Sequence, residues 1–319
     1  MTRAPLSLFG LHGSRPLAEQ VAARLEIALA AHEERDFEDG EHKARPLQDV
    51  RGHDAFVLHT LHGGEGDSAN DRLCRLLFFC GALRDAGAAR VTAVAPYLCY
   101  ARKDRRTKTN DPVTTRYVAA MFEAVGIGQV ITLEVHNLAA FENAFRCPSL
   151  HVPAAPLFAA HFAPLLRRVP AVVVSPDTGG AKRAEQVREA LETLRGAPVS
   201  AAFMEKHRSG GVVTGTLFAG DVRGRVAIIV DDLISTGGTL LRAARACREA
   251  GAAEIHAAAA HGLFTGGAED LFAAGLFGSV VVSSTVPPFR LAGAARARLT
   301  VLDAAEPLAR AIAACHDAG

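Results

Sequence analysis

One stretch constrains the fold more than any other: Arg225-Val226-Ala227-Ile228-Ile229-Val230-Asp231-Asp232-Leu233-Ile234-Ser235-Thr236-Gly237-Gly238-Thr239. Val226 to Val230 is an unbroken apolar run, the pattern of a strand covered on both faces in a parallel sheet. Two adjacent carboxylates end the run, and a Ser/Thr/Gly turn follows. Leu240, Ala244 and Cys247 then recur at helical spacing, and Gly251 stands where such a helix stops. A buried strand feeding a helix through a tight turn calls for an α/β architecture.

The turn has a specific chemistry. Small residues admit close approach of a ligand to the backbone, and the first amides of a helix lack internal partners. A phosphate placed there gains hydrogen bonds and the favourable end of the helix dipole. Thr239 follows Gly238 directly, so the lysine of a nucleotide P-loop is missing. Acids ahead of the turn repel phosphate but accept from sugar hydroxyls or hold Mg²⁺ through water. A phosphorylated sugar is therefore expected, with its hydroxyls on Asp231 and Asp232 and its phosphate on Ser235 to Thr239. The plain alternative is an ordinary strand–turn–helix with solvated acids.

At 319 residues, two domains of ordinary size are expected, and 49% hydrophobic residues suffice for two cores. A net charge of +1 indicates no general surface for nucleic acid. No apolar run has the length of a membrane span, and Leu6 to Phe9 is too short for a signal-peptide core. Six scattered cysteines without a CxxC pair suit reduced thiols in a cytoplasmic protein.

Other polar groups fall after strand-like runs. Leu6–Leu11 reads as a strand and 16–30 as a helix. Phe37, Asp39 and Glu41 form either a solvated turn or a surface for a base, with the ring stacking and a carboxylate accepting from an exocyclic amine. After the strand at 91–98 come Arg102, Lys103, Asp104, Arg105 and Arg106, in the position where open α/β sheets bind ligands. These cations are either an exposed basic turn or a clamp for a triphosphate. Asp111-Pro112 reads as a helix start. His136 ends the strand 129–135, as a metal ligand, a phosphate donor or a structural histidine. Asp177, beside Gly179 and Gly180, reads as a helix cap or as a ligand to Mg²⁺ or a sugar hydroxyl. Lys206 and Arg208, ahead of Gly210 and Gly211, read as a hairpin turn or as an arm that closes over charge.

The Asp231–Thr239 stretch resembles the phosphoribosyl-pyrophosphate loop of type I phosphoribosyltransferases. Taken with 96–106, 131–136, 172–180 and the Lys206/Arg208 arm, the whole chain resembles the ribose-phosphate diphosphokinase family. The resemblance implies two doubly wound phosphoribosyltransferase-type α/β domains related by internal duplication. They would span residues 1–148 and 149–319, with the last helix packing back on the first. It implies transfer of diphosphate from Mg-ATP to ribose 5-phosphate in a homo-oligomer (hexamer, tetramer or dimer) with an adenine site shared between subunits. Phe37, Asp39 and Glu41 would hold adenine, and Arg102, Lys103, Asp104 and His136 the nucleotide phosphates. His136 and Asp177 would lie at Mg²⁺, and Lys206 and Arg208 on the transferring group. Asp177, Asp231, Asp232, Ser235, Thr236, Gly237, Gly238 and Thr239 would bind ribose 5-phosphate. Lys103, His207 and Ser235 depart from the common form's Gln, Arg and Asp. Asp49 and Asp303 fall where that form seats regulatory phosphate on hydroxyls, which implies weak control by phosphate or ADP. The competing expectations are a base-transferring phosphoribosyltransferase and a non-catalytic, synthetase-associated regulatory subunit.

Overall fold

The structure, a computed structural model, describes residues 4–64, 66–167, 169–209 and 212–318, and for 205–209 and 212–217 the backbone alone. The chain divides into two compact units. One is the stretch ending at Val152 joined by the stretch from Ala304 onward, and the other is Pro153–Asp303.

The first unit runs β1 (Leu6–Gly10), α1 (Arg15–Arg24), β2 (His32–Asp36), β3 (His42–Pro46), β4 (Asp54–Leu58), α2 (Ala69–Asp85), β5 (Arg90–Val94), α3 (Thr114–Ala124), β6 (Gln129–Leu133), α4 (Leu138–Ala144) and β7 (Ser149–Val152). Strands β1-β4-β5-β6-β7 form a parallel sheet in that order, while β2 and β3 pair with each other as an antiparallel hairpin. Alternate side chains point to opposite faces of the sheet. Phe9, Val57, Ala93 and Val130 share one core with Leu76 and Phe79 of α2, Phe122 of α3 and Phe141 of α4. Truncating a ring such as Phe122, which is fully buried, costs about 3–5 kcal/mol.

Three local expectations are corrected here. Helix α1 ends at Arg24 although Leu25 and Leu29 continue its apolar stripe. Glu26 adopts φ +57°, and Ala30 N then donates to Leu8 O at 2.8 Å, so the chain turns out of the helix to run beside β1. Asp111-Pro112 does not open α3, whose N-cap is Val113. The units divide after Val152 rather than after residue 148, because Ser149–Val152 pairs with β6 in the first sheet.

The second unit runs α5 (Ala155–Leu165), β8 (Ala171–Ser175), a 3-10 turn (Thr178–Gly180), α6 (Ala181–Arg195), β9 (Ser200–Ser209), β10 (Val212–Ala219), β11 (Val226–Ile234), α7 (Gly238–Glu249), β12 (Glu254–Gly262), α8 (Asp270–Ala273), β13 (Ser279–Ser283), α9 (Gly293–Ala297) and β14 (Leu299–Leu302). Its sheet order is β10-β9-β8-β11-β12-β13-β14, parallel except for the β9–β10 hairpin. Helix α10 (Ala305–Asp317) then returns to the first unit, against α1, β6 and β7. From β1 and from β8 alike, the order is strand, helix, hairpin, strand, then three helix–strand steps. The parallel strands keep the same order in both sheets, as a duplicated doubly wound α/β unit would.

Candidate active site

In the second unit the strand order reverses at β8, with β9 on one side and β11 on the other. Open α/β sheets bind ligands at such a reversal, beyond the carboxyl ends of the strands. Ser175 ends β8, and its hydroxyl donates to Asp177 O at 2.6 Å. Asp177 Oδ1 accepts from Gly180 N at 3.1 Å and caps the 3-10 turn. A Cβ on Gly180 would come 2.8 Å from Ser175 Oγ and would push that hydroxyl off its bond to Asp177 O. Helix α6 follows at once. Its Arg183 Nη1 lies 4.0 Å from Asp231 Oδ1, linking the loops after β8 and β11.

Strand β11 extends past the expected Val230 to Ile234, because Asp231, Leu233 and Ile234 continue to pair with β12. The two acids thus lie within the strand instead of ending it. Asp232 is buried, and its amide donates to Asp231 Oδ1 at 2.9 Å. Burial, with the neighbouring charge of Asp232, pushes the Asp231 carboxyl up to about 7, while Arg183 pulls the other way. Beyond Ile234, Ser235 Oγ and Thr265 Oγ1 share a hydrogen bond of 2.7 Å, and Thr265 N donates to Ser235 O at 3.0 Å. Gly237 has φ +79°, the left-handed region that glycine enters without strain. Helix α7 begins at Gly238 with no side-chain cap, so its first amides remain for an anion. Thr239 Oγ1 accepts from Arg242 at 3.2 Å.

In the first unit the loops after the adjacent strands β5 and β6 are joined by Asn137, whose amide donates to Asp104 Oδ2 at 2.7 Å. Asn137 Oδ1 also caps α4, accepting from Ala140 N at 3.2 Å, and the exposed His136 precedes it. Thr115 of α3 tacks the cationic loop down by donating to Tyr100 O and Lys103 O. Arg102 is exposed, whereas Lys103 Nζ donates to Asp111 Oδ2 at 2.8 Å. That carboxylate also accepts from Thr107 and Lys108, which explains why it does not cap α3. Hydrogen bonds from Lys103 and Thr107 hold the Asp111 carboxyl well below the usual range. Phe37, Asp39 and Glu41 form the loop of the β2–β3 hairpin, closed by Phe37 N donating to Glu41 O at 2.8 Å. The Phe37 ring is 40% exposed, with the Arg35 guanidinium 5.1 Å from its centre.

Lys206 and Arg208 lie on β9, opposite Thr216 and Val213 of β10, and their side chains fall outside the described residues. His59 and His62 are buried against Ser14 and Arg72. Among the described residues, no three His, Cys, Asp or Glu side chains gather as a metal site. The donors present suit Mg²⁺ carried on a phosphorylated ligand, since that ion keeps several waters and takes only one or two carboxylates. Asp177 Oδ1 is taken by Gly180, which leaves its other oxygen for such an ion. Sequence reasoning missed Arg183 as a partner of Asp231 and Thr265 as a partner of Ser235, because both stand far along the chain.

Residues 6–126 match the N-terminal domain of ribose phosphate pyrophosphokinase, and residues 213–318 match a phosphoribosyl synthetase-associated domain. The chain is 33% identical to ribose-phosphate pyrophosphokinase 1 of Streptococcus pyogenes serotype M1, over 99% of this chain and 96% of the relative. It is 35% identical to ribose-phosphate pyrophosphokinase 1 of Streptococcus pneumoniae serotype 4, over 90% and 87%. The crystal structure of phosphoribosylpyrophosphate synthetase from Mycobacterium smegmatis superposes with a TM-score of 0.88 at 33% identity, covering 99% of this chain and 100% of that one.

Proposed function

Since this chain belongs to the ribose-phosphate pyrophosphokinase family, we propose that it transfers the β,γ-diphosphoryl group of Mg-ATP to the anomeric hydroxyl of ribose 5-phosphate. The products are phosphoribosyl pyrophosphate and AMP, for nucleotide biosynthesis. The observation that carries this reading is the uncapped start of α7 behind Gly237, reached from two carboxylates beside a strand-order reversal. That combination suits a sugar ester: hydroxyls meet acids, and phosphate meets amides.

Asp231 and Asp232 accept from the ribose hydroxyls. Ser235, Thr236, Gly237, Gly238 and Thr239 take the 5-phosphate, with Asp177 beside them. Arg102, Lys103 and Asp104 line the nucleotide phosphates, and Lys103 exchanges Asp111 for the ligand. Phe37 stacks on the base, while Asp39 and Glu41 accept from its amine. Mg²⁺ on the nucleotide would neutralise the transferring group, and His136 and Asp177 are the residues that would meet it. Lys206 and Arg208 stabilise the negative charge that spreads as the bond from the β-phosphorus to the bridging oxygen of AMP breaks. The anomeric hydroxyl is more acidic than an ordinary alcohol, so no general base is assigned.

The test is incubation with ATP, Mg²⁺ and ribose 5-phosphate, followed by phosphorus NMR. AMP and phosphoribosyl pyrophosphate should appear in equal amounts. Base-dependent release of pyrophosphate from phosphoribosyl pyrophosphate, without AMP formation, would assign base transfer instead. No turnover together with co-purification of an active synthetase would assign a regulatory subunit.

Regulation by phosphate or ADP is weak in this reading. Arg51 grips Asp49 with both ends of its fork, at 3.0 and 2.6 Å, and its hydrogen bonds pull that carboxyl down to about 2. The acid stays charged, and the guanidinium is occupied by it. Asp303 would repel phosphate in the same way. A strict phosphate requirement in a desalted assay would overturn this. The chain assembles as a homo-oligomer with a shared adenine site, whose size sedimentation would give. Six free cysteines suit a cytoplasmic setting, and among the described residues no helix is long and apolar enough to cross a membrane.

A further inference from the structure

Helix α2 carries two buried arginines, Arg72 and Arg75, on a face otherwise made of Leu73, Leu76, Leu77 and Phe79. Buried guanidinium groups need partners. Arg72 is held close by, its Nη1 donating to Thr60 O and His62 Nε2 at 3.2 Å each. Arg75 instead reaches the β2–β3 hairpin. Its Nη2 donates to Asp36 Oδ1 at 2.5 Å and lies 3.6 Å from Asp67, and its Nη1 lies 4.0 Å from Glu34. The Arg75 side chain is 11% exposed and that of Asp36 70%, so a fixed inner group holds an outer one.

Asp36 is the last residue of β2, and Phe37 comes next. On the inner side, Glu34 also accepts from His12 N at 2.7 Å and pairs with His32 Nε2 at 2.9 Å. On the other strand, the His42 ring stacks on Phe78 of α2, with centroids 5.4 Å apart. The hairpin is thus clamped to α2 from both strands, with Arg75 at the point where the chain leaves the clamp for the loop. Burial alone would lower the proton affinity of Arg75, but the bond to Asp36 and the charges of Asp67, Asp36 and Glu34 raise it.

We infer that Arg75, acting through Asp36, is a positioning residue that presets the Phe37 loop for the nucleotide base. This rests on the reading of that loop as the base-binding element. A half-exposed ring is worth most to a ligand when its orientation is fixed beforehand, because the ordering cost is then not charged to binding. Arg75 touches no ligand itself.

The experiment compares Phe37→Ala, Asp36→Asn, Asp36→Glu and Arg75→Gln in steady-state kinetics on the full-length protein, with thermal melts of each. Asp36→Asn is the cleaner probe, since it leaves the inner pair of Arg75 and Glu34 in place. Asp36→Asn and Arg75→Gln should each raise KM for ATP about three- to tenfold, the scale of one charge-assisted contact at a partly exposed site. The double variant should add little to either single one, since both cut the same contact. KM for ribose 5-phosphate and kcat should stay within about twofold, and Asp36→Glu should recover most of the loss. If Phe37→Ala leaves KM for ATP unchanged, the base-binding reading fails and this inference with it. If Phe37→Ala raises it but Asp36→Asn does not, the positioning role alone is overturned. It is overturned equally if both KM values and kcat move together with a lowered Tm, which is the signature of a merely structural arginine.

Discussion

In the proposed sugar loop, two neighbouring carboxylates and one guanidinium should set the response to pH. Burial and the charge of Asp232 push Asp231 up to about 7, against the pull of Arg183. Only the ionised carboxylate accepts hydrogen bonds from ribose hydroxyls at both oxygens. The protonated form dominates below that value, so kcat/KM for ribose 5-phosphate should fall by about tenfold per unit as pH drops beneath the pKa of the free enzyme. Asp231→Asn should give a lower, flat profile over the same range, and a wild-type profile that stays level through neutrality would remove Asp231 from the sugar. Lys206→Ala should lower kcat by roughly 10²–10⁴ with a much smaller change in either KM, as expected of a contact made to charge in the transition state. A near-normal kcat would end that assignment. At this scale the sequence was informative where chemistry is local. Asp231 to Thr239 were readable as a candidate site because acids, hydroxyls and glycines sit side by side. Thr265, which shares a hydrogen bond with Ser235, carries no local mark, since a threonine thirty positions on acquires its role only when β12 runs beside β11. Lys103 was readable as a cation but not as the partner of Asp111, because loop closure decides that pairing.

The duplicated units show how one supersecondary element serves two ends. In the first unit, β4, its loop and α2 stand where β11, its loop and α7 stand in the second. The start of α2 is closed by a capping box, with Ser68 Oγ accepting from Asp71 N at 3.2 Å and Asp71 Oδ2 accepting from Ser68 N at 2.7 Å. The start of α7 follows a left-handed glycine and has no such cap. A helix terminus already satisfied by its own side chains has less to offer an anion. Paired substitutions test this. Gly237→Ala forces a Cβ into the left-handed region and to 3.3 Å from Leu271. It should cost about 1–2 kcal/mol and raise KM for ribose 5-phosphate. Ser68→Ala should cost about 1 kcal/mol without touching that KM. Calorimetry with kinetics reads both, and equal effects on KM would show that the α7 terminus is not the phosphate seat. The parallel strands were legible as apolar runs. The β2–β3 hairpin was not, because His32–Asp36 is a string of polar residues without period-two alternation, whereas the β9–β10 turn was one of two readings of the stretch around Lys206 and Arg208.

For the whole molecule, the decisive feature is that the chain leaves the first unit at Val152 and comes back at Ala304. That the last helix packs back on the first unit was implied by the family resemblance, whereas an apolar stripe along a helix marks a buried face without saying what covers it. In the structure, Leu308 and Ile312 are fully buried, and the end of α10 is fastened at the amino ends of the inner strands β4, β5 and β6. Arg90 donates to Asp54 Oδ1 at 2.8 Å and to Cys315 O at 2.8 Å, His316 Nδ1 pairs with Asp54 Oδ2 at 2.8 Å, and Gln129 donates to Cys315 Sγ at 3.0 Å. Asp54 is 3% exposed, so losing α10 uncovers apolar surface and strips one partner from a buried acid. Each large side chain returned to water costs about 1.5–3 kcal/mol, and the weakened ion pair adds to that. Removing residues 305–319 should therefore lower the melting of the first unit selectively. The second unit holds its own core and the proposed sugar loop within 153–303, and it should keep its transition and still be shifted upward by ribose 5-phosphate, because a ligand stabilises only the unit that binds it. Calorimetry of the truncated chain with and without the sugar phosphate separates the two outcomes. A single transition lowered as a whole, or a ligand shift lost with the helix, would mean that the units do not stand apart and that the last helix serves the sugar site as well.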